Sequence, residues 1–313
     1  MNELDNRPSD MARAAWLYYT EELTQSEIAK KLSVSRSTVI RLLQKAKESG
    51  IVQISIGVSS TTFEYERDLE KKFNLAKVRI VPEALDGLMQ RRWLGQAGAE
   101  ILAELAQDGS TMAVSWGSTL QCLADSMTGE IKRQGMRIVA LNGGLHNASR
   151  GTNPHEVAEH LGQVFGASAR ALYAPVYVRN ETTASGLFND PGLIEALDMA
   201  RTADLVVYSL GTIAPEATMI KLGYINAEEC EFLVRQGAVG EIAGRWIDKN
   251  GLPIKLPETI NPIGISLDEL QRIPNRLTVA GGREKTQAIR AILNGRLTTH
   301  LVTDEYTAQV LLS

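Results

Sequence analysis

Two sets of residues in this 313-residue sequence have the types and spacing to do chemistry. The first is cationic. Between Lys30 and Lys47 lie Lys30, Lys31, Arg36, Arg41, Lys45 and Lys47 without one Asp or Glu. Such a stripe can displace counterions from a phosphate backbone. The second set is three glycine-bearing loops, each directly after an apolar run. They are Trp116-Gly117-Ser118-Thr119 after TMAVS, Asn142-Gly143-Gly144 after RIVAL, and Gly281-Gly282-Arg283-Glu284-Lys285 after RLTVA. Glycine lets backbone N–H groups approach an anion, and hydroxyls or a lysine at a helix start add donors.

Each loop also has a plain structural reading. Ser118 suits the N-cap of an ordinary βα turn. The glycine pair at 143 and 144 satisfies positive φ in a turn, and Asn142 either joins that turn or reaches a sugar hydroxyl. Lys285 is a solvated surface lysine, or its place at a helix start, against the dipole, is balanced by a bound anion. A contact from Lys285 is then insensitive to pH unless the lysine is deeply buried.

The elements that must position the cationic stripe are two short helices. In residues 24–50, TQSEIAKKLSVSRSTVIRLLQKAKESG, Thr24 and Glu27 have the spacing of a capping box. Ile28 and Leu32 share one face of the helix that follows. Ser33-Val34-Ser35 breaks it, and Ser35 is placed to cap a second helix. There Val39, Leu42, Leu43 and Ala46 share one face, with Ser37, Arg41 and Gln44 opposite. A basic second helix after a tight turn points to a DNA-binding helix-turn-helix, the alternative being a helical hairpin with a solvated basic face. Ser37, Arg41 and Gln44 are expected at base edges and Arg36 and Lys45 at phosphates. Ser35 and Thr38 complete the set.

Composition confines that chemistry to one end. Residues 1–60 hold eight Lys/Arg against seven Asp/Glu, and the remainder 25 against 30. Only the N-terminal part is built to meet a polyanion. The expected division is a DNA-binding domain over 1–56 and an effector-binding and oligomerisation domain over 57–313, with GVSSTT (57–62) as linker. Residues 10–20 read as a supporting helix, 51–56 as a short strand and 63–73 as a connecting helix. Cys122 and Cys230 lack a CxxC spacing and read as reduced residues rather than a disulfide or metal pair. The polar N-terminus and the lack of a long apolar run predict a cytoplasmic protein without a membrane partner.

From residue 77 onward strand and helix patterns alternate. Expected strands cover 78–81, 111–115, 137–141, 171–178, 205–210, 276–280 and 300–303. Expected helices cover 92–107, 118–127, 154–165, 192–201, 227–236 and 285–293. This alternation predicts an α/β fold with a mainly parallel sheet, whose ligands sit beyond the carboxyl ends of the strands.

Taken together, these stretches resemble the SorC/DeoR-type family of sugar-binding bacterial transcriptional regulators over nearly the whole chain. The carrying pieces include the helix-turn-helix, VSWGSTL, LNGGL, RQGAVGEIAGRWIDKNG, VAGGREKTQAIRAILNG and LVTDEYTAQVLL. The resemblance implies an effector domain similar to phosphosugar isomerases and deaminases. It also implies a homodimer or homotetramer binding operator DNA, a small sugar, polyol or phosphosugar effector, and no cofactor. Gly117, Ser118, Thr119, Gly282 and Lys285 match the family's phosphate-contacting pieces. Glu241 stands where the family often has Asp for ligand hydroxyls, and Asn142 where some members have Arg. Asn142, Gly143 and Asn153 are expected to line the same pocket, Asn153 serving equally as an N-cap.

Two other functions stay open on the residues. One is a phosphosugar isomerase or deaminase, for which Glu216 and Glu241 are the acid–base candidates. His155 and His160, five apart, lack the HExxH spacing of a metal site. The other is a regulator sensing a phosphorylated autoinducer.

Overall fold

Capping chemistry sets where the N-terminal helices begin and end. The computed structural model describes residues 8–21, 23–52, 60–127, 131–146 and 148–313. It forms two compact units, residues 1–59 and 60–313. The first contains α1 (Pro8–Tyr19), α2 (Gln25–Leu32) and α3 (Arg36–Glu48). The Thr24 N–H donates to the Glu27 carboxylate at 2.8 Å, and the Glu27 N–H donates to the Thr24 hydroxyl at 3.3 Å. Hydrogen bonds from Thr24 hold the Glu27 carboxyl below its usual range. Ser33, left-handed at φ 55°, ends α2, and the Ser35 hydroxyl accepts from the Thr38 N–H at 3.1 Å to start α3.

Apolar periodicity then closes the unit. Val39, Leu42, Leu43 and Ala46 of α3 are buried with Ala14 and Leu17 of α1 and Ile28 of α2. Of the strand expected over 51–56, Ile51 and Val52 form a bend, and 53–59 lie outside the described residues.

The second unit opens with α4 (Ser60–Phe73), so residues 60–62 of the expected linker are helical. Its strands are β1 (Lys77–Val81), β2 (Thr111–Val114), β3 (Arg137–Ala140), β4 (Ser168–Arg170), β5 (Tyr177–Val178) and β6 (Leu205–Tyr208). They continue as β7 (Gly240–Ile242), β8 (Arg245–Ile247), β9 (Asn261–Pro262), β10 (Asn275–Val279) and β11 (His300–Asp304). The helices are α5 (Gly87–Leu105), α6 (Ser118–Ser126), α7 (Pro154–Phe165), α8 (Glu181–Phe188) and α9 (Pro191–Arg201). After them come α10 (Thr218–Lys221), α11 (Ala227–Arg235), α12 (Leu267–Arg272), α13 (Thr286–Asn294) and α14 (Glu305–Leu312).

Seven strands form one parallel sheet in the order β1-β11-β10-β6-β2-β3-β4. Strand periodicity gives each face its own core. On β6, Leu205 and Val207 join a cluster with α5, α6 and α7, whereas Val206 and Tyr208 join one with α4, α9, α13 and α14. A third, smaller core gathers Trp116, Tyr177, Met219, Tyr224, Leu233 and Trp246 around the antiparallel pairs β5–β9 and β7–β8. Within it the Trp246 indole donates to the Tyr177 hydroxyl at 3.0 Å, which donates to the Gly244 carbonyl at 2.9 Å.

One expected strand divides. In place of 171–178, β4 ends at Arg170 and β5 pairs elsewhere with β9. Pro175 lies in the interval and has no N–H to give a ladder. Helices α8, α10, α12 and α14 are absent from the expected set, each having eight residues or fewer. That is too short for a helical period to repeat convincingly. Among the described residues no helix is long and apolar enough to cross a membrane.

Candidate functional site

Chain order in the sheet selects one crevice. From β2 the chain moves outward through β3 and β4, then returns to place β6 on the other side of β2. The carboxyl ends of β2 and β6 therefore flank the point where the winding reverses, which is where open α/β sheets hold ligands. A cavity of about 60 Å³ lies there. Its wall comprises Trp116–Thr119 after β2, Ser209–Thr212 after β6, Ala217–Met219, Glu241, Ala243 and Lys285.

On the β2 side, Gly117 is the N-cap of α6 at φ 127°, and no side chain caps that helix. The expected plain turn with Ser118 as cap is therefore not what forms. A helix start without a side-chain cap leaves first-turn N–H groups available to an anion. Ser118 and Thr119 add hydroxyls, and Lys285 adds the cation. Lys285 is half-buried, and burial pushes its ammonium below the usual lysine range. Glu284 and Glu241 pull it up, and Arg91 pushes it further down.

The cavity wall also holds a carboxyl group. Glu241 lies on β7, whose backbone exchanges hydrogen bonds of 3.0 and 2.9 Å with Gly211. Burial pushes its pKa up to about 7, against a hydrogen bond from the Gly244 N–H and the charge of Lys285. A β-carbon at Gly211 would stand 2.5 Å from the Glu241 Oε2. Glycine there gives the carboxyl group its place. The Ser209 hydroxyl is buried without a hydrogen-bond partner.

Of the effector residues read from sequence, Gly117, Ser118, Thr119, Glu241 and Lys285 come together at this cavity, whereas Asn142, Gly143, Asn153 and Gly282 do not. Asn142 is wholly buried; its Oδ1 accepts from the Ser115 hydroxyl at 3.2 Å and its amide donates to the Gly143 carbonyl at 3.0 Å. A β-carbon at Gly143 would lie 2.3 Å from the Pro175 carbonyl oxygen, so that glycine serves backbone packing. Asn153 is the N-cap of α7, with its Oδ1 accepting from the Leu145 N–H at 2.6 Å. The Gly282 N–H donates to Asp304 at 2.6 Å. Glu216 is exposed and is not part of the cavity wall.

On α3, Arg36, Ser37, Arg41 and Gln44 are exposed and Thr38 and Lys45 half-buried. The Ser35 hydroxyl is engaged with Ser37 at 2.8 Å and Thr38 at 2.9 Å, and Gln44 donates to Glu48 at 3.0 Å. Ile40, missed by the polar-face reading, is an exposed large apolar residue on the same helix. It has the chemistry to meet a thymine methyl.

Comparison with known proteins agrees in both units. Residues 58–313 match the sugar-binding domain family, and residues 16–48 match sigma-70 region 4. The transcriptional regulator LsrR of Enterobacter sp. strain 638 is 33% identical over 308 residues, covering 97% of this chain and 92% of its own. The chain belongs to the SorC/DeoR-type family of sugar-binding transcriptional regulators. Another relative, the deoxyribonucleoside regulator of Bacillus subtilis strain 168, is 32% identical over 302 residues, 96% of each chain. The full-length sorbitol operon regulator SorC of Klebsiella pneumoniae shares the fold, with a TM-score of 0.75 at 24% identity over 97% of this chain and 98% of that one. This SorC/DeoR-type protein is thus a DNA-binding transcriptional regulator with a helix-turn-helix and a sugar-binding domain. Ser209, Gly211, Thr212 and Thr218 are the cavity residues that sequence reading passed over. The signal for the first three was the glycine in SLGT at the end of a predicted strand, the pattern that marked the other loops; Thr218 had none.

Proposed function

We propose that this regulator controls a carbohydrate or polyol catabolic operon through a small, anionic, sugar-derived effector bound in the switch-point cavity. Residues 1–56 carry the DNA contacts and 57–313 the effector and the oligomer, a cytoplasmic homodimer or homotetramer on a pseudo-palindromic operator. The observation that carries this reading is a cavity lined by two kinds of group. The uncapped start of α6 and Lys285 suit a phosphate. Glu241 and the unpartnered Ser209 hydroxyl suit sugar hydroxyls.

At about 60 Å³ the cavity has room for a few waters. An effector bound there changes DNA affinity only by favouring one of two states of the protein.

A thermal-shift panel of sugar phosphates, sugars, polyols and a phosphorylated autoinducer tests the reading. At least one phosphate ester should raise the melting midpoint, by about 2.7 kcal/mol of stabilisation at a hundredfold excess over Kd. Lys285→Ala should abolish that shift and leave operator binding intact. An equal shift in Lys285→Ala places the anion elsewhere. Turnover of a phosphosugar by the pure protein favours the isomerase or deaminase alternative.

A further inference from the structure

We infer that helix α14 carries the state of the Gly281–Lys285 loop to helix α4, with the Asp304 carboxylate as the positioning residue that ties loop to helix. The inference rests on the effector reading given above.

Asp304 ends β11 and caps α14. Its Oδ1 accepts from the Thr307 N–H at 2.9 Å; its Oδ2 accepts from the Thr307 hydroxyl at 2.8 Å and the Gly282 N–H at 2.6 Å. One wholly buried carboxylate thus caps a helix and pins a loop. The Gly282 carbonyl in turn accepts from the Lys285 N–H at 2.9 Å, so the hydrogen bonds run unbroken from Asp304 to the backbone of Lys285. The glycine pair follows from this arrangement. A β-carbon at Gly281 would stand 2.5 Å from Asp304 Oδ2, and Gly282 adopts φ 106°. Gly281 thus leaves room for the carboxylate, and Gly282 supplies the positive φ that the loop takes there.

A second contact holds the same turn of α14 to the loop. The Arg283 guanidinium lies 4.0 Å over the Tyr306 ring and donates to Glu83 at 2.7 Å. At the far end of α14, Lys72 Nζ donates to the carbonyls of Leu311 at 2.8 Å and Leu312 at 3.2 Å. Lys72 belongs to the last turn of α4, the first helix of the 60–313 unit in chain order. A cation at that helix end also complements the dipole.

The energetics favour joint movement. If Lys285 shifts on binding an anion, either Gly282 parts from a buried carboxylate or the start of α14 follows. Taking a donor from the buried Asp304 carboxylate is the costlier outcome. The short helix, fastened at both ends, then passes the displacement to α4.

Hydrogen exchange on the full chain tests this, with inorganic phosphate and ribose 5-phosphate as probes. In the wild type, binding should change exchange in 281–286, 305–312 and 60–73. Asp304→Asn has one acceptor oxygen for the Gly282 N–H and the Thr307 N–H, which use different oxygens of the carboxylate, so either the loop bond or the helix cap is lost; it should weaken the probes about tenfold and lose the response in α4. Thr307→Val should lower the melting midpoint yet keep probe affinity and the α4 response, because the Gly282 bond remains. Lys72→Met, far from the cavity, should keep probe affinity while the response stops at α14. That variant keeps the test open if Asp304→Asn does not fold. A wild-type response confined to the cavity loops, or wild-type behaviour from Asp304→Asn or Lys72→Met, overturns the inference. Failure of both probes to alter wild-type exchange anywhere instead removes the effector reading, and this inference with it.

Discussion

The polar face of α3 and the switch-point cavity both carry cations, but under opposite physical conditions. On α3, Arg36 and Arg41 stand exposed, over a buried row of Val39, Leu42, Leu43 and Ala46. Water and salt screen those charges, so their contribution to DNA affinity falls as salt rises. In the cavity, Glu241 is buried and Lys285 is lowered by desolvation. There charge is costly, and protonation state becomes part of the binding chemistry. Exposed charge gives a surface that stays switched on; enclosed charge gives a site that needs its ligand.

Stability against pH probes the enclosed side and carries the largest expected effect. The folded pKa of Glu241 stands near 7, above its ordinary 4.5, so the native state holds more protons than the unfolded state between those values. Its contribution is therefore lost as pH rises from about 4.5 to about 7, then stays level. The full loss is about 3 kcal/mol at the usual 1.36 kcal/mol per unit. Glu241→Gln should flatten that part of the urea-midpoint profile. An unchanged profile would mean that Glu241 is hydrated and that the contrast with α3 is overstated.

Arg41→Ala probes the exposed side. It should cost about 1–3 kcal/mol of discrimination at one base pair, read as operator binding against a base-substituted site. Uniform weakening on both DNAs would make Arg41 a phosphate contact. Smaller still, Thr24→Ala removes one half of the α2 capping box and should cost about 1 kcal/mol. The loss should fall on melting of the N-terminal unit and leave effector-induced shifts alone. A reduced effector shift would show that the two sites are less separable than their chemistry suggests.

Legibility in the sequence followed the same divide. The helix-turn-helix could be read because its determinants are local. Thr24 with Glu27, Ser35 and the row from Val39 to Ala46 act within a few residues of one another. The parallel sheet was legible because apolar runs alternate with helical periods. The cavity was legible only in part. Ser118, Thr119 and Lys285 sit in loops marked by glycine, but Asn142 and Gly143 sit in a similar loop whose groups turn to Ser115 and Pro175 instead. Which glycine loops reach the crevice depends on how the strands and helices pack in three dimensions, a long-range property. Asp304 was hidden for a related reason, since its partner Gly282 lies 22 residues away.

The central claim is that the exposed face binds DNA and the enclosed cavity governs it. It is tested most directly by fluorescence anisotropy on labelled operator DNA, titrated with the compound that raises the wild-type melting midpoint. The wild type should change its operator affinity as the compound is added. Lys285→Ala should bind the same DNA with the wild-type affinity and ignore the compound. An equal response from Lys285→Ala, or none from a wild type that visibly binds the compound, would contradict the account.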